Sequence, residues 1–145
     1  MLINLVYCSM ASDNITERDV EDILEEARKF NLENGITGLL LYHQGEFIQI
    51  LEGDKEVVEE LYSRIKTDPR HSLAKLLESS PIEKRSFPTW QMAFKPLTKK
   101  NLDDFSAHIG LSEFDKLSKV HEDTSLANKL LKVIGDQMLR EPRKH

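Results

Sequence analysis

Gln49 stands in the middle of an apolar run, Glu46-Phe47-Ile48-Gln49-Ile50-Leu51-Glu52. The flanking residues read as a strand apolar on both faces, which predicts a central, covered position. A primary amide brings two N–H donors and a carbonyl acceptor to that position. Leaving one such group unpaired in a core costs about 1–3 kcal/mol, so something polar is expected against this strand. For a single isolated glutamine, a backbone group or a buried water would suffice. Two further residues ask for more. Tyr7 lies in Leu2-Ile3-Asn4-Leu5-Val6-Tyr7-Cys8, a first strand whose alternation puts it on the face of Ile3 and Leu5. Asn31 falls on or at the edge of the apolar face of a helix predicted over Thr16 to Asn34, in register with Leu24 and Ala27. One phenol and two amides on three separate elements predict one polar pocket, able to donate and accept hydrogen bonds away from water.

The elements that must position them follow from local signals. Thr16 is a suitable N-cap with Asp19 three residues on, and Val20, Ile23, Leu24, Ala27 and Phe30 recur at helical spacing. Asn34-Gly35 stops that helix and leads into a strand over Gly35–His43. The short turn His43-Gln44-Gly45-Glu46 folds it into a hairpin with the Gln49 strand. Gly53-Asp54 ends the hairpin, and Asp54 is a candidate cap for a second helix with Val57, Val58, Leu61 and Ile65 as its stripe, stopped by Pro69. Ser72 to Ile82 reads as a strand, although Ala74-Lys75-Leu76 suits a helix as well, and Thr89–Phe94 alternates as a last strand. The order β-α-β-β-α-β-β is an α+β, ferredoxin-like arrangement with one strand added. Right-handed crossovers put both helices on one sheet face. The other face, with Leu2, Val6, Ile48 and Ile50, needs a cover, which short helices over Leu102–Ile109 and Ser112–Val120 and a longer one over Ser125–Leu139 can supply. The last of these repeats Leu126, Leu130, Leu131, Val133, Ile134 and Met138 at amphipathic spacing. The polar end, residues 140–145, is expected to fray.

Bulk properties narrow the classes. At 145 residues the chain has the length of one domain. A net charge of -5 argues against sequence-independent nucleic-acid binding, which relies on Lys and Arg. The single cysteine, Cys8, cannot form an internal disulfide, points to a reducing compartment and reads as a small buried hydrophobe. The N-terminus lacks the basic region of a signal peptide and no stretch reaches the length of a membrane span, so a cytoplasmic location is expected.

Tyr7 in L-V-Y-C-S, Asn31 before N-G-I-T-G-L-L, F-I-Q-I-L-E-G around Gln49, D-P-R-H from Asp68 and W-Q-M from Trp90 occur in that order. Together they resemble the BLUF domain, a flavin-based blue-light sensor, over residues 1–96. The resemblance implies a flavin, FAD with FMN or riboflavin as alternatives, between the two helices with its ring edge toward the sheet. It implies that Asn31 binds the carbonyl and N–H edge of the ring, and that Arg64 and Asp68, four apart on the second helix, hold its other polar positions. It makes Tyr7 the electron donor to the excited flavin and Gln49 the relay between the two. Trp90 and Met92, on one face of the last strand, would compete for the place next to Gln49. Read from the residues alone, Arg64 and Asp68 are an ordinary surface ion pair rather than a binding set, and Trp90 and Met92 are core residues. One departure is visible: many relatives carry a polar residue where this chain has Phe30, which continues the apolar stripe and puts one hydrogen bond to the flavin in question. His71 admits a cofactor contact or a helix-terminal structural role.

By the same resemblance, light-driven electron and proton transfer leaves Gln49 rotated or tautomerised, with a stronger hydrogen bond to the flavin and a slightly red-shifted, thermally reversible absorption. Residues 97–145 would form a helical extension packed on the sheet, too short for a typical cyclase or phosphodiesterase domain. The expectation is a stand-alone photoreceptor without catalytic activity. It would signal to an unidentified partner protein or through its own oligomer, and bind neither nucleic acid nor membrane. Two other classes compete. One is a small acylphosphatase-type hydrolase using Arg64 and Asn31, which lacks a Gly-rich phosphate cradle; the other is a cofactor-free α/β interaction module.

Overall fold

Capping chemistry fixes both ends of the first helix. In the computed structural model, which describes residues 1–12, 15–109 and 125–140, the Thr16 hydroxyl accepts from the Asp19 amide at 3.1 Å and the Asp19 carboxylate accepts from the Thr16 amide at 2.9 Å. This reciprocal capping box opens α1, Glu17–Asn34, and Gly35 closes it at φ 67°, a conformation that favours glycine. The strands are β1 (Leu2–Ala11), β2 (Thr37–His43), β3 (Glu46–Asp54), β4 (His71–Pro81) and β5 (Ala93–Pro96), with α2 (Lys55–Thr67) between β3 and β4. Gln44 and Gly45 both adopt positive φ, 46° and 81°, the twist that a two-residue hairpin turn requires between β2 and β3.

The sheet order is β4-β1-β3-β2-β5, antiparallel throughout except for the parallel β2–β5 edge. This is the ferredoxin-like order with an added strand, and it makes β3 the central strand, as the apolar flanks of Gln49 predict. Alternation divides its residues between two cores. Val20 and Leu24 of α1 and Val58 and Tyr62 of α2 pack with Ile3, Leu5, Tyr7, Leu40 and Leu51 on one face. On the other, α3 (Lys99–Ile109) and α4 (Ser125–Arg140) cover the sheet. There Leu102, Leu130, Leu131, Ile134 and Met138 are buried with Val6, Cys8, Leu39, Ile48 and Ile50. Each such side chain contributes about 1.5–3 kcal/mol by leaving water, more than a helix cap supplies, so α4 is held by packing. Among the described residues no helix is long and apolar enough to cross a membrane. The helix expected over Ser112–Val120 lies outside the described residues, as do residues 141–145 of the polar tail.

Two local expectations fail. Asp54 precedes α2 but makes no side-chain cap bond; its carboxylate instead meets the N-terminal ammonium of Met1 at 3.2 Å. A full charge brought within reach by the β1–β3 pairing of Leu2 with Asp54 competes better for the carboxylate than a backbone amide. The last strand is Ala93–Pro96 and not Thr89–Phe94. Trp90 and Met92 precede it on an irregular segment, whose carbonyls accept from the Gly38 amide and from the side chains of Arg28 and Asn31 in place of a ladder.

Candidate functional site

Strand register brings the first two polar residues together. Tyr7 pairs directly with Gln49 across β1 and β3, so both side chains leave the sheet on the α1/α2 face and the Tyr7 hydroxyl donates to Gln49 Oε1. Gln49 Nε2 donates to the Met92 sulfur at 3.1 Å. Both ends of the amide are therefore engaged, one by a strong donor and the other by a weak thioether acceptor.

Asn31 is completely buried on α1. Its Nδ2 donates to the Gln91 carbonyl, but its Oδ1 has no hydrogen-bond partner among the described residues. A buried acceptor left in this way asks for an N–H donor from outside the chain. Tyr7, Asn31, Gln49, Arg64, Asp68 and His71 all line one cavity between α1, α2 and the sheet, with about 240 Å³ of free space. That is close to the roughly 300 Å³ at which small-molecule sites begin. Apolar walls come from Leu40, Leu61 and Ile65.

The structure corrects the pairing of Arg64 with Asp68. The helix ends at Thr67, and Asp68 is its non-helical C-cap. The Asp68 carboxylate accepts from the guanidinium of Arg70 at 2.8 Å and from the Arg70 amide at 2.9 Å. Proline after Asp68 turns the chain, so the nearest cation is two residues on instead of four back. Arg70 also reaches Glu26 of α1 at 2.6 Å, tying α1 to the turn after α2 at the lining of the cavity. Arg64 pairs with Glu60 at 3.3 Å and lies 5.2 Å from the centroid of the Phe30 ring. Phe30 thus supplies an aromatic face to a cation in place of a hydrogen bond.

Trp90 and Met92 do not share a face. Met92 belongs to the core on the Gln49 side, whereas Trp90 is buried among the residues under α4, stacked on Phe87 at 5.2 Å between centroids. Of the two, Met92 occupies the place beside Gln49. Tyr62 and Arg70 are missing from the sequence-based set. Tyr62 lies 5.3 Å from the Tyr7 ring and was legible as a member of the α2 stripe, four residues after Val58 and three before Ile65; Arg70 was legible as the near cation in D-P-R-H.

Electrostatics separate the roles. Burial pushes the Tyr7 phenol far above its ordinary value, with the nearby Tyr62 and Asp68 adding to the effect, so Tyr7 is a neutral donor. The Arg70 side-chain bond holds the Asp68 carboxyl below the usual range. His71, whose Nδ1 lies 3.0 Å from Ser9 Oγ, is lowered chiefly by burial, with Asp68 opposing and Arg70 adding. Both Asp68 and His71 favour the deprotonated form when folded, so acidification protonates the unfolded chain first. Their stabilisation is complete above the unfolded values, about 3.9 for Asp and 6.5 for His, and is lost as pH falls through the folded ones. The urea midpoint should fall as pH drops from about 7 toward 5, and His71→Gln should flatten that slope. An equally steep slope in the variant would assign it to other groups.

Comparison with known proteins agrees with this geometry. The family model described as BLUF, sensors of blue-light using FAD, matches residues 2–93. Photoactivated adenylate cyclase subunit beta of Euglena gracilis is 38% identical over 88 residues, which are 61% of this chain and 10% of the relative. The blue light- and temperature-regulated antirepressor BluF of Escherichia coli is 37% identical over 71 residues, 49% of this chain and 18% of its own length. The chain thus spans under a fifth of these two curated relatives. Among solved structures, the BlsA ground state matches with a TM-score of 0.73 at 34% identity, covering 90% of this chain and 88% of that one. BlrB, a BLUF protein in its dark state, matches with a TM-score of 0.73 at 30% identity, covering 91% and 96%.

Proposed function

The chain belongs to the BLUF family of blue-light flavin sensors, and from that premise we propose that Tyr7 and Gln49 form its light-driven switch and that FAD is its chromophore. The observation that carries this reading is the Tyr7 hydroxyl donating to Gln49 Oε1 inside the cavity. The residues present suit a flavin ring: Asn31 Oδ1 lacks a donor among the described residues, and the ring edge offers an N–H. Bound flavin would supply the absorption of blue light and accept an electron when excited.

The chain's own residues then determine what the electron transfer leaves behind. Tyr7 resists ionisation because it is buried, so losing an electron alone would create an isolated buried charge. Gln49 Oε1 already accepts its proton, which gives the proton a path as the electron departs. An amide that has taken up that proton no longer accepts from Tyr7, and rotation or tautomerisation presents a different group to the cavity. On the far side, the bond from Nε2 to the Met92 sulfur is weak and offers little resistance to that rearrangement.

We read the output as signalling to a partner protein or a second copy, without catalysis by this chain. The near-complete coverage of BlsA and BlrB supports that reading, and the net charge of -5 disfavours a nucleic-acid partner. Met92 and Trp90 lead through β5 toward the helices packed on the outer face, so α4 is the candidate output element. Its hydrogen exchange should differ between dark and illuminated protein, and Met92→Ala should shrink the difference; identical exchange in both states would send the signal elsewhere. The cofactor assignment is tested by denaturing the purified protein and identifying what is released, and by titrating the stripped protein with FAD, FMN and riboflavin. A colourless protein that ignores all three would end the flavin reading.

A further inference from the structure

Glu52 is a buried carboxylate, 1% exposed, that the switch does not use. It lies on β3 three residues after Gln49 and therefore on the opposite face, in line with Ile48 and Ile50. No Lys, Arg or His nitrogen pairs with it among the described residues. Its two oxygens instead accept the backbone amides of Ser86 at 2.8 Å and Phe87 at 2.9 Å. A carboxylate on an apolar face is costly to desolvate unless it is hydrogen-bonded, and an apolar residue would fill the space without that cost. Its chemistry is therefore spent on the position of Ser86 and Phe87.

What rests on Phe87 gives that position its meaning. The segment between β4 and β5 has no ladder of its own. Arg85 fastens it to the Gly35 carbonyl at 2.7 Å, the Thr37 hydroxyl at 2.9 Å and the Glu52 carbonyl at 3.0 Å. Phe87 follows, its ring stacked within 16° of parallel on Trp90, and Gly135 of α4 comes so close that an added Cβ would meet the ring at 2.7 Å. The Gly38 amide donates to the Trp90 carbonyl at 2.8 Å, and two residues later Met92 reaches Gln49.

We propose that Glu52 is a positioning residue for the photoswitch: by clamping the Ser86–Phe87 backbone it fixes the aromatic platform that retains Trp90 under α4 and leaves Met92 as the neighbour of Gln49. The effect on Gln49 rests on the sensor reading above; the effect on Trp90 does not. Trp90 is the only tryptophan of the chain, so its emission reports the clamp directly, in the full chain and in the dark. In Glu52→Ala, with both acceptors gone, acrylamide quenching of Trp90 should rise and its emission shift, and dark recovery should change by at least about fivefold, the order expected for loss of a buried charged hydrogen bond. Glu52→Gln retains one carbonyl acceptor and should lie between Ala and the parent in both readouts. Phe87→Leu leaves the clamp and removes the platform, and should loosen Trp90 as Glu52→Ala does.

A Glu52→Ala protein with native circular dichroism, bound flavin, and Trp90 quenching and recovery equal to the parent would overturn the proposal. If Glu52→Ala does not fold, Glu52→Gln and Phe87→Leu decide it, and parental Trp90 quenching in both overturns it equally. A parent that shows no photocycle would count against the sensor reading alone, since the Trp90 measurements need no light-driven change of the flavin.

Discussion

Gln49→Leu is expected to leave a yellow, folded protein that no longer shifts its absorption to the red under blue light. Leucine matches the glutamine in volume and suits a strand flanked by Ile48 and Ile50, so β3 should retain its register. What disappears is the only acceptor for the Tyr7 hydroxyl among the described residues, and the donor to Met92. Tyr7→Phe reaches the same end from the other side, removing the donor while leaving the ring against Tyr62. Each single variant strands one buried polar group at a cost of about 1–3 kcal/mol. The double variant strands neither, so its loss of stability should be smaller than the sum of the two single losses. Urea unfolding of the four proteins and their light-minus-dark spectra check both halves. A Gln49→Leu protein that photocycles like the parent would show the switch to be misassigned.

The second large effect concerns retention of the chromophore. Asn31 spends its Nδ2 on Gln91 and, among the described residues, leaves Oδ1 without a partner on a fully buried side chain. A ligand that donates there relieves an existing penalty as well as adding a bond. Asn31→Leu should weaken FAD binding by about 1–3 kcal/mol, roughly 5- to 150-fold, the worth of one or two buried hydrogen bonds. Fluorescence titration of the stripped variant and parent measures it directly. Unchanged affinity in a folded variant would mean that Oδ1 is not where the ring binds.

Much of this site could be read before any coordinates were known, because strand alternation and helical periodicity are local signals. Tyr7, Asn31 and Gln49 each broke an apolar pattern, and the structure places all three in one cavity. The capping box at Thr16 and the hairpin turn at Gln44-Gly45 were legible for the same reason. What failed depended on competition between distant groups. Asp54 offered a cap but was taken by the N-terminal ammonium, brought there by β1 pairing. Asp68 and Arg64 have the spacing of a helical pair, yet the helix ends one residue too early. The alternation of Thr89–Phe94 looked like a strand, whereas Gly38 of β2 and Arg28 and Asn31 of α1 hold the carbonyls of Trp90, Met92 and Gln91. No pattern within that segment could have revealed this, and it reversed the face assigned to Trp90.

The most direct test is the absorption spectrum of the purified full chain in darkness, after blue light, and during return to darkness. A flavin spectrum that shifts slightly to longer wavelength, retains the form of oxidised flavin and relaxes thermally to its starting position is the expected result. It would match an amide that has changed its hydrogen bond while the covalent state of the chromophore is restored. A flavin-loaded protein whose spectrum does not move, or one that bleaches without recovery, would contradict a switch built on Tyr7 and Gln49.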